Sequence, residues 1–65
     1  MNQKEWIRTP DGRILGCYEY LPNGDIILRD QPGRILGRYD KTYNVTRRQD
    51  GWIVAKGNAL GMLLR

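Results

Sequence analysis

Arginine and aromatic side chains are the groups in this 65-residue sequence best suited to bind a ligand. Cationic groups bind phosphates and flat rings stack on bases, a combination used by proteins that bind single-stranded nucleic acid. Eight arginines are present, and several recur at equivalent positions of an internal repeat. The candidate nucleic-acid-binding residues are Arg8, Arg29 and Arg47 at one repeat position, Arg13 and Arg34 at a second, and Trp52.

The same arginines also have a structural interpretation. Each can pair with an acid placed by the repeat, such as Glu19, Asp30 or Asp50, and so set the hairpin register and keep the surface charged. The net charge is +4, with seven acids against eleven bases. This mixed charge favours the structural interpretation over nucleic-acid contact.

Catalysis and metal binding are not expected. The chain has no histidine and no serine, so the commonest general base is missing and Cys17 has no recognisable activating partner. Cys17 is the only cysteine, which excludes an intramolecular disulfide, and we interpret it as inert filler. No phosphate-binding loop or calcium loop is present. The sequence predicts no enzyme, no cofactor, no metal and no small-molecule substrate.

The length predicts one small domain, residues 1–65, with a marginal core. A chain of this size buries only about 60% of the surface that it exposes when unfolded. Disulfides, a metal or a partner chain are the usual remedies, and only the partner chain fits this composition. The N-terminal residues include no apolar segment, and no run of about 18 apolar residues occurs anywhere. We therefore expect a cytoplasmic protein without a signal peptide or a transmembrane helix.

An internal repeat determines the expected architecture. Residues 8–18 and 29–39 align at an offset of 21, with seven identities in 11 positions. A third and weaker copy, residues 47–57, lies 18 residues further on. Each copy reads as two short extended arms around a glycine-bearing turn, which predicts a β-hairpin.

Tight turns separate the predicted strands. Residues 9–12 and 21–24 have proline second and glycine last, which suits a type I turn. In residues 30–33 the proline stands third, which predicts a shift by one residue that places Pro32 and Gly33 in a type II turn. We expect an all-β fold of about six antiparallel strands in three tandem hairpins, near residues 5–8, 13–20, 25–29, 34–40, 44–48 and 52–56.

Side-chain alternation along these strands leaves an apolar surplus. Successive side chains point to opposite faces, which places Ile14 and Gly16 on one face and Leu15 and Cys17 on the other. The same alternation places Ile35 on the face of Gly37. Each second arm therefore begins apolar on both faces, and only one face can fill a single small core. The surplus face predicts a second layer, either from hairpins that fold over one another, as in a small barrel or a pseudo-threefold arrangement, or from another copy of the chain. Glycine weakens a strand, so the recurrence of Gly16 and Gly37 predicts a bend or a close approach by another backbone or ring.

The C-terminal segment, residues 58–65, carries four large apolar residues at an end that normally frays in water: Leu60, Met62, Leu63 and Leu64. We expect this tail to pack at a subunit interface. Exchange of a hairpin or of the tail between protomers is a low-cost route to a dimer, because the same contacts form between chains instead of within one. The sequence thus predicts a homo-oligomer, most simply a dimer.

The repeat motif resembles that of a group of small proteins. The segments DGRILG, PGRILG and DGWIVAKG, at residues 11–16, 32–37 and 50–57, are similar to the G-R-[IV]-[LV]-G signatures of short bacterial and phage proteins built from tandem β-hairpins, some named β-flower proteins. The resemblance covers about residues 8–57. It implies a radial or meandering arrangement of hairpins and no particular activity.

The function expected from the sequence is that of a non-enzymatic interaction module that associates with itself. Nucleic-acid binding through the arginine and aromatic surface is the alternative. Salt separates the two, because binding through phosphate contacts weakens steeply as the salt concentration rises.

Overall fold

The protein is a single antiparallel sheet in a computed structural model that describes residues 3–64. Met1, Asn2 and Arg65, which the predicted domain and tail include, lie outside the described residues. The strands are β1 Gln3–Arg8, β2 Ile14–Tyr20, β3 Ile26–Asp30, β4 Ile35–Asp40, β5 Val45–Arg48 and β6 Ile53–Lys56. A 3₁₀ helix, Leu60–Leu64, follows β6 and is called the tail helix below.

The strands pair in the order of the sequence, so the sheet is an open meander with β1 and β6 as its edges. The predicted all-β class and six antiparallel strands are confirmed, with every boundary within two residues of its expected position. Three hairpins, β1–β2, β3–β4 and β5–β6, match the three repeat copies. No helix within residues 3–64 is long and apolar enough to span a bilayer.

Four of the five turns have the same geometry. In each, a glycine with φ between 93° and 103° donates its N–H to the carbonyl three residues earlier: Gly12, Gly24, Gly33 and Gly51. The predicted shift at residues 30–33 is wrong, because Gly33 N–H donates to the Asp30 carbonyl at 3.0 Å. The Asp30 carboxylate holds this register by accepting the N–H groups of Gly33 and Arg34, at 3.1 and 2.7 Å.

A β-bulge recurs at the same position in all three hairpins. Arg8 opposes Ile14 whereas the residue before it opposes Gly16, so Leu15 is an extra residue in β2. The extra residues of the other two hairpins are Leu36 and Val54. Because a bulge interrupts the alternation of side chains, the prediction that Ile14 and Gly16 share a face is wrong. Ile14 lies on the face of Arg8.

The tail helix covers one face of the sheet, which we call the tail face and define by Tyr18, Leu28, Gly37 and Thr46. Leu28, Thr46 and Leu60 are the largest fully buried side chains, so the main core lies on the tail-helix side of the sheet. Cys17 and Val45, on the opposite side, are also buried. The Thr46 hydroxyl donates to the Gly57 carbonyl at 2.6 Å and accepts the Ala59 N–H at 2.8 Å, which ties the tail to β5.

The two strand glycines give the tail face its close packing. A Cβ at Gly16 would collide with the carbonyl oxygen of Arg29, and one at Gly37 would lie 2.7 Å from the carbonyl oxygen of Arg47. At Gly37 the Leu63 side chain also occupies the space of a Cβ. The predicted close approach is therefore confirmed, with the backbone of the next strand as the neighbour in both cases.

Candidate interaction face

The sheet face opposite the tail helix has no covering layer within residues 3–64, and we call it the open face. By register, its central row crosses all six strands through Lys4, Glu19, Ile27, Arg38, Arg47 and Ile53. A neighbouring row crosses β1 to β4 through Trp6, Cys17, Arg29 and Ile35. Charged and apolar side chains are thus interleaved on this face.

The three arginines of the first repeat position all lie on the open face. Each opposes the isoleucine that begins the second strand of its own hairpin: Arg8 opposes Ile14, Arg29 opposes Ile35 and Arg47 opposes Ile53. The three arginines that are equivalent in the repeat therefore share one face of the sheet. The bulge sets this pairing, because it brings each isoleucine round to the side of its arginine.

Two of these arginines are engaged within the chain. Arg29 donates to the Gly33 carbonyl at 3.0 Å, and Arg47 donates to the Gly51 carbonyl at 3.2 Å. Both glycines have the left-handed turn conformation, so one arginine braces the turn in each of these two hairpins. Arg29 also pairs with Glu19 at 3.0 Å, and Arg47 with Asp40 at 3.7 Å.

Arg8 differs from its two repeat equivalents. Within the described part of the chain, it forms neither an ion pair nor a side-chain hydrogen bond, and its side chain is exposed. Its hairpin begins at the sheet edge, where no earlier strand supplies an acid comparable to Glu19 or Asp40. Arg8 is therefore the repeat arginine left available to an outside anion.

The remaining candidate residues lie at the hairpin tips and not on the open face. Arg13 pairs with Asp11 at 3.6 Å, and Arg34 pairs with Asp30 at 3.3 Å. Trp52 follows the third hairpin turn and is 68% exposed. In the turns, backbone hydrogen bonds pair each of these three residues with a residue on the tail-face side of the sheet. The six residues predicted to bind together are therefore divided between the two sides of the sheet.

Exposed apolar side chains lie on the open face, in keeping with the apolar surplus predicted from the sequence, although the residues that form it differ from those expected. Trp6 is 52% exposed, Ile35 is 39% exposed and Ile53 is 53% exposed. Simple alternation assigned Ile35 to the face of Gly37, and the bulge is the reason that it lies on the other. All three bulged strands begin with isoleucine and a second aliphatic residue, and this repeated pair is the sequence feature that accompanies the bulge.

A buried carboxylate anchors the open face near β4. Asp25 accepts hydrogen bonds from Arg38 Nε at 3.1 Å and Nη2 at 2.5 Å, and from the Lys41 backbone N–H at 3.0 Å. The carboxyl side chain is almost wholly buried. The hydrogen bonds from Arg38, and then that from Lys41, hold the pKa of Asp25 below its ordinary value.

Replacing Asp25 with asparagine is expected to lower the free energy of unfolding at pH 7 by about 1–3 kcal/mol, since it weakens a buried, charge-assisted cluster. A depressed carboxyl pKa stabilises the fold above the unfolded pKa of about 3.9, and this contribution is lost as pH falls through the folded pKa. The difference between wild type and Asp25→Asn should therefore shrink below about pH 4. Urea unfolding at several pH values measures it.

The control for this prediction is Asp50→Asn. Asp50 pairs with Arg48 at 3.2 Å, with half of each side chain exposed, and exposed pairs contribute about 0.5 kcal/mol or less. Equal losses of unfolding free energy for the two variants at pH 7 would contradict the role given to Asp25. So would a difference between Asp25→Asn and wild type that does not shrink as the pH is lowered below about 4.

The tail residues predicted at a subunit interface are divided by burial. Leu60 is 1% exposed against its own sheet, whereas Met62 is 58% exposed. Leu63 and Leu64 are half-buried. One chain thus already covers Leu60, and the interface predicted for the tail stays a prediction.

No group of three or more side chains suited to hold a metal ion occurs among residues 3–64, and Cys17 is buried in the sheet. Comparison of the chain with protein-family models, with curated proteins and with solved structures returned no match. The resemblance to tandem β-hairpin proteins therefore stays a prediction.

Proposed function

We propose that the protein is a non-enzymatic interaction module that associates with itself through the open face. The observation that carries this proposal is the group of exposed apolar side chains on a sheet face with no second layer: Trp6, Ile35 and Ile53. Antiparallel sheets commonly face water on one side, but that side then carries mainly polar residues. An aromatic ring and two isoleucines on such a face are typical of a contact surface.

The amount of exposed surface supports a second layer. Folded monomers of 7.6 kDa expose about 4,300 Å², and this chain exposes 4799 Å². Within the described residues only four hydrophobic side chains are buried: Cys17, Leu28, Val45 and Leu60. This core is small for a chain with a single cysteine and, within residues 3–64, no cluster of side chains suited to hold a metal ion.

A second copy of the chain is the partner that we favour. The molecule measures 35 × 27 × 18 Å, so a broad side is large enough for the roughly 800 Å² per partner of a standard interface. The open face also carries ion pairs that are complete within one chain: Arg29 with Glu19, Arg38 with Asp25 and Arg47 with Asp40. Two such faces can meet without leaving these charges unpaired.

Nucleic acid fits the open face less well. Binding phosphates requires several available cations, and of the three repeat arginines on this face Arg29 and Arg47 are held by acids and by turn carbonyls, which leaves Arg8. Arg13, Arg34 and Trp52 lie on the other side of the sheet. We therefore treat nucleic-acid binding as the alternative function, which the experiment on self-association also tests.

Replacing Ile35 with lysine is expected to weaken self-association at least about 30-fold, because it places a charge at the centre of the apolar contact. Ile35 is already 39% exposed, so the monomer should still fold. Sedimentation velocity over a range of concentrations measures the dimer, and circular dichroism checks the sheet.

Met62→Lys is the matched control, since Met62 is a comparably exposed apolar residue on the tail helix. It should leave the dimer intact. A monomeric wild type refutes self-association. A dimer lost in Met62→Lys and kept in Ile35→Lys assigns the interface to the tail instead. Tight, salt-sensitive binding of a single-stranded oligonucleotide by the wild type would favour the alternative function.

A further inference from the structure

The third repeat copy differs from the other two at the residue that follows the bulge. Gly16 and Gly37 occupy this position in β2 and β4, and Ala55 occupies it in β6. β2 and β4 each have a strand on both sides, whereas β6 has one on a single side. The methyl group therefore appears only where the sheet ends.

The contacts of the two glycines explain the difference. In β2 and β4 the space of a Cβ is taken by the carbonyl oxygen of the repeat arginine in the following strand, Arg29 for Gly16 and Arg47 for Gly37. No following strand approaches Ala55, so its methyl group is accommodated. The glycine is thus required by the contact between neighbouring hairpins and not by the bulge itself.

The chain repeats this contact in one register. Gly16 pairs with Asp30, and Gly37 pairs with Arg48, each the residue after a repeat arginine. Continued beyond β6, the same register sets Ala55 opposite Thr9 of a second copy and Lys56 opposite Arg8 of that copy. The Ala55 methyl group then meets the carbonyl oxygen of Arg8, at a separation that carbon and oxygen do not adopt.

We propose that the Ala55 side chain closes the β6 edge to strand addition by a second copy of this chain. An exposed edge is a template for pairing with another strand. Pairing of β6 with β1 of another molecule joins two different surfaces, and such a contact propagates without limit unless it closes into a ring. Ala55 blocks this route to fibres while leaving the open face unaffected.

This inference does not depend on the proposed function, because it concerns the sheet edge and not the open face. β6 ends at Lys56, and Gly57 turns the chain away with φ of 75°. The edge contact is therefore short even without the methyl group, and it is best detected by covalent trapping.

The experiment uses full-length chains that each carry one added cysteine. Lys56→Cys is placed in one chain and Arg8→Cys in another, because the repeat register sets these residues opposite each other. Cα atoms of directly opposed residues lie about 4.5–5.5 Å apart, within the range that a disulfide spans. Cys17 is buried and serves as the background in both chains. The rate of mixed disulfide formation is compared for Ala55, Ala55→Gly and Ala55→Ser in the Lys56→Cys chain.

Ala55→Gly is expected to raise the cross-linking rate about tenfold, since it removes the overpacked contact. Ala55→Ser keeps a Cβ and should match Ala55. Equal rates in all three would overturn the proposal. With Ala55 unchanged, a second pair, Lys56→Cys with Lys4→Cys, reports random collision. If the Lys56→Cys chain with Ala55 unchanged forms disulfides faster with Arg8→Cys than with Lys4→Cys, the proposal is also overturned. This comparison holds even if Ala55→Gly fails to fold.

Discussion

Replacement of Gly16 by alanine is expected to lower the free energy of unfolding by about 2–4 kcal/mol, an effect of overpacking against rigid backbone. The added Cβ would collide with the carbonyl oxygen of Arg29, and this oxygen belongs to a strand paired on both sides. It cannot yield without disturbing the pairing of β2 with β3. Marginal domains of this size have about 3–10 kcal/mol of stability in total, so this loss is a large share of the free energy of unfolding. Urea denaturation monitored by circular dichroism measures the change.

Gly61→Ala is the matched control for this prediction. A Cβ at Gly61 would meet only the Tyr18 hydroxyl, at an ordinary contact distance of 3.6 Å. The variant should therefore lie within about 0.5 kcal/mol of wild type. If Gly16→Ala is as stable as Gly61→Ala, the close approach of the hairpins does not account for the repeated glycine, and the argument made for Ala55 loses its basis as well.

Replacement of Leu60 by alanine is expected to lower the free energy of unfolding by about 2–5 kcal/mol, because it opens a cavity between the tail helix and the tail face. Leu60 is 1% exposed and is the one fully buried side chain of the tail helix. In so small a core, losing it removes a large share of the buried apolar surface. Thermal and urea unfolding both measure the loss.

Met62→Ala provides the comparison, since Met62 lies in the same helix and is 58% exposed. In a monomer, Met62→Ala should lower the free energy of unfolding by less than about 1 kcal/mol. The concentration dependence of unfolding adds a second test. If Leu60 packs on its own sheet, the cost of Leu60→Ala is the same at all protein concentrations. A cost that vanishes on dilution would mean that the tail packs on a partner.

Strand number, strand positions and the turns at residues 9–12 and 21–24 were predictable because they depend on local chemistry. Each turn needs a residue that tolerates positive φ, and glycine supplies it at Gly12 and Gly24. At residues 30–33 the position of Pro32 predicts the wrong turn, because the Asp30 side chain decides the register. That carboxylate accepts two backbone N–H groups and holds the turn in the common register.

The candidate site was predictable only in part. The repeat alone placed Arg8, Arg29 and Arg47 in equivalent environments, and they share one face of the sheet. Their engagement by Glu19, Asp40 and the turn carbonyls depends on neighbouring strands, which the sequence does not align side by side.

The sequence by itself determined an all-β chain of three hairpins, because turn conformation and strand alternation are properties of a few adjacent residues. Only the tertiary structure decided which face is open and which is covered. A single extra residue in each hairpin moves Ile35 and Ile53 across the sheet, and the Thr46 hydroxyl directs the tail onto the other side. The first effect depends on how the two strands of a hairpin pair, and the second on a contact between β5 and the tail, so neither follows from the conformational preference of single residues.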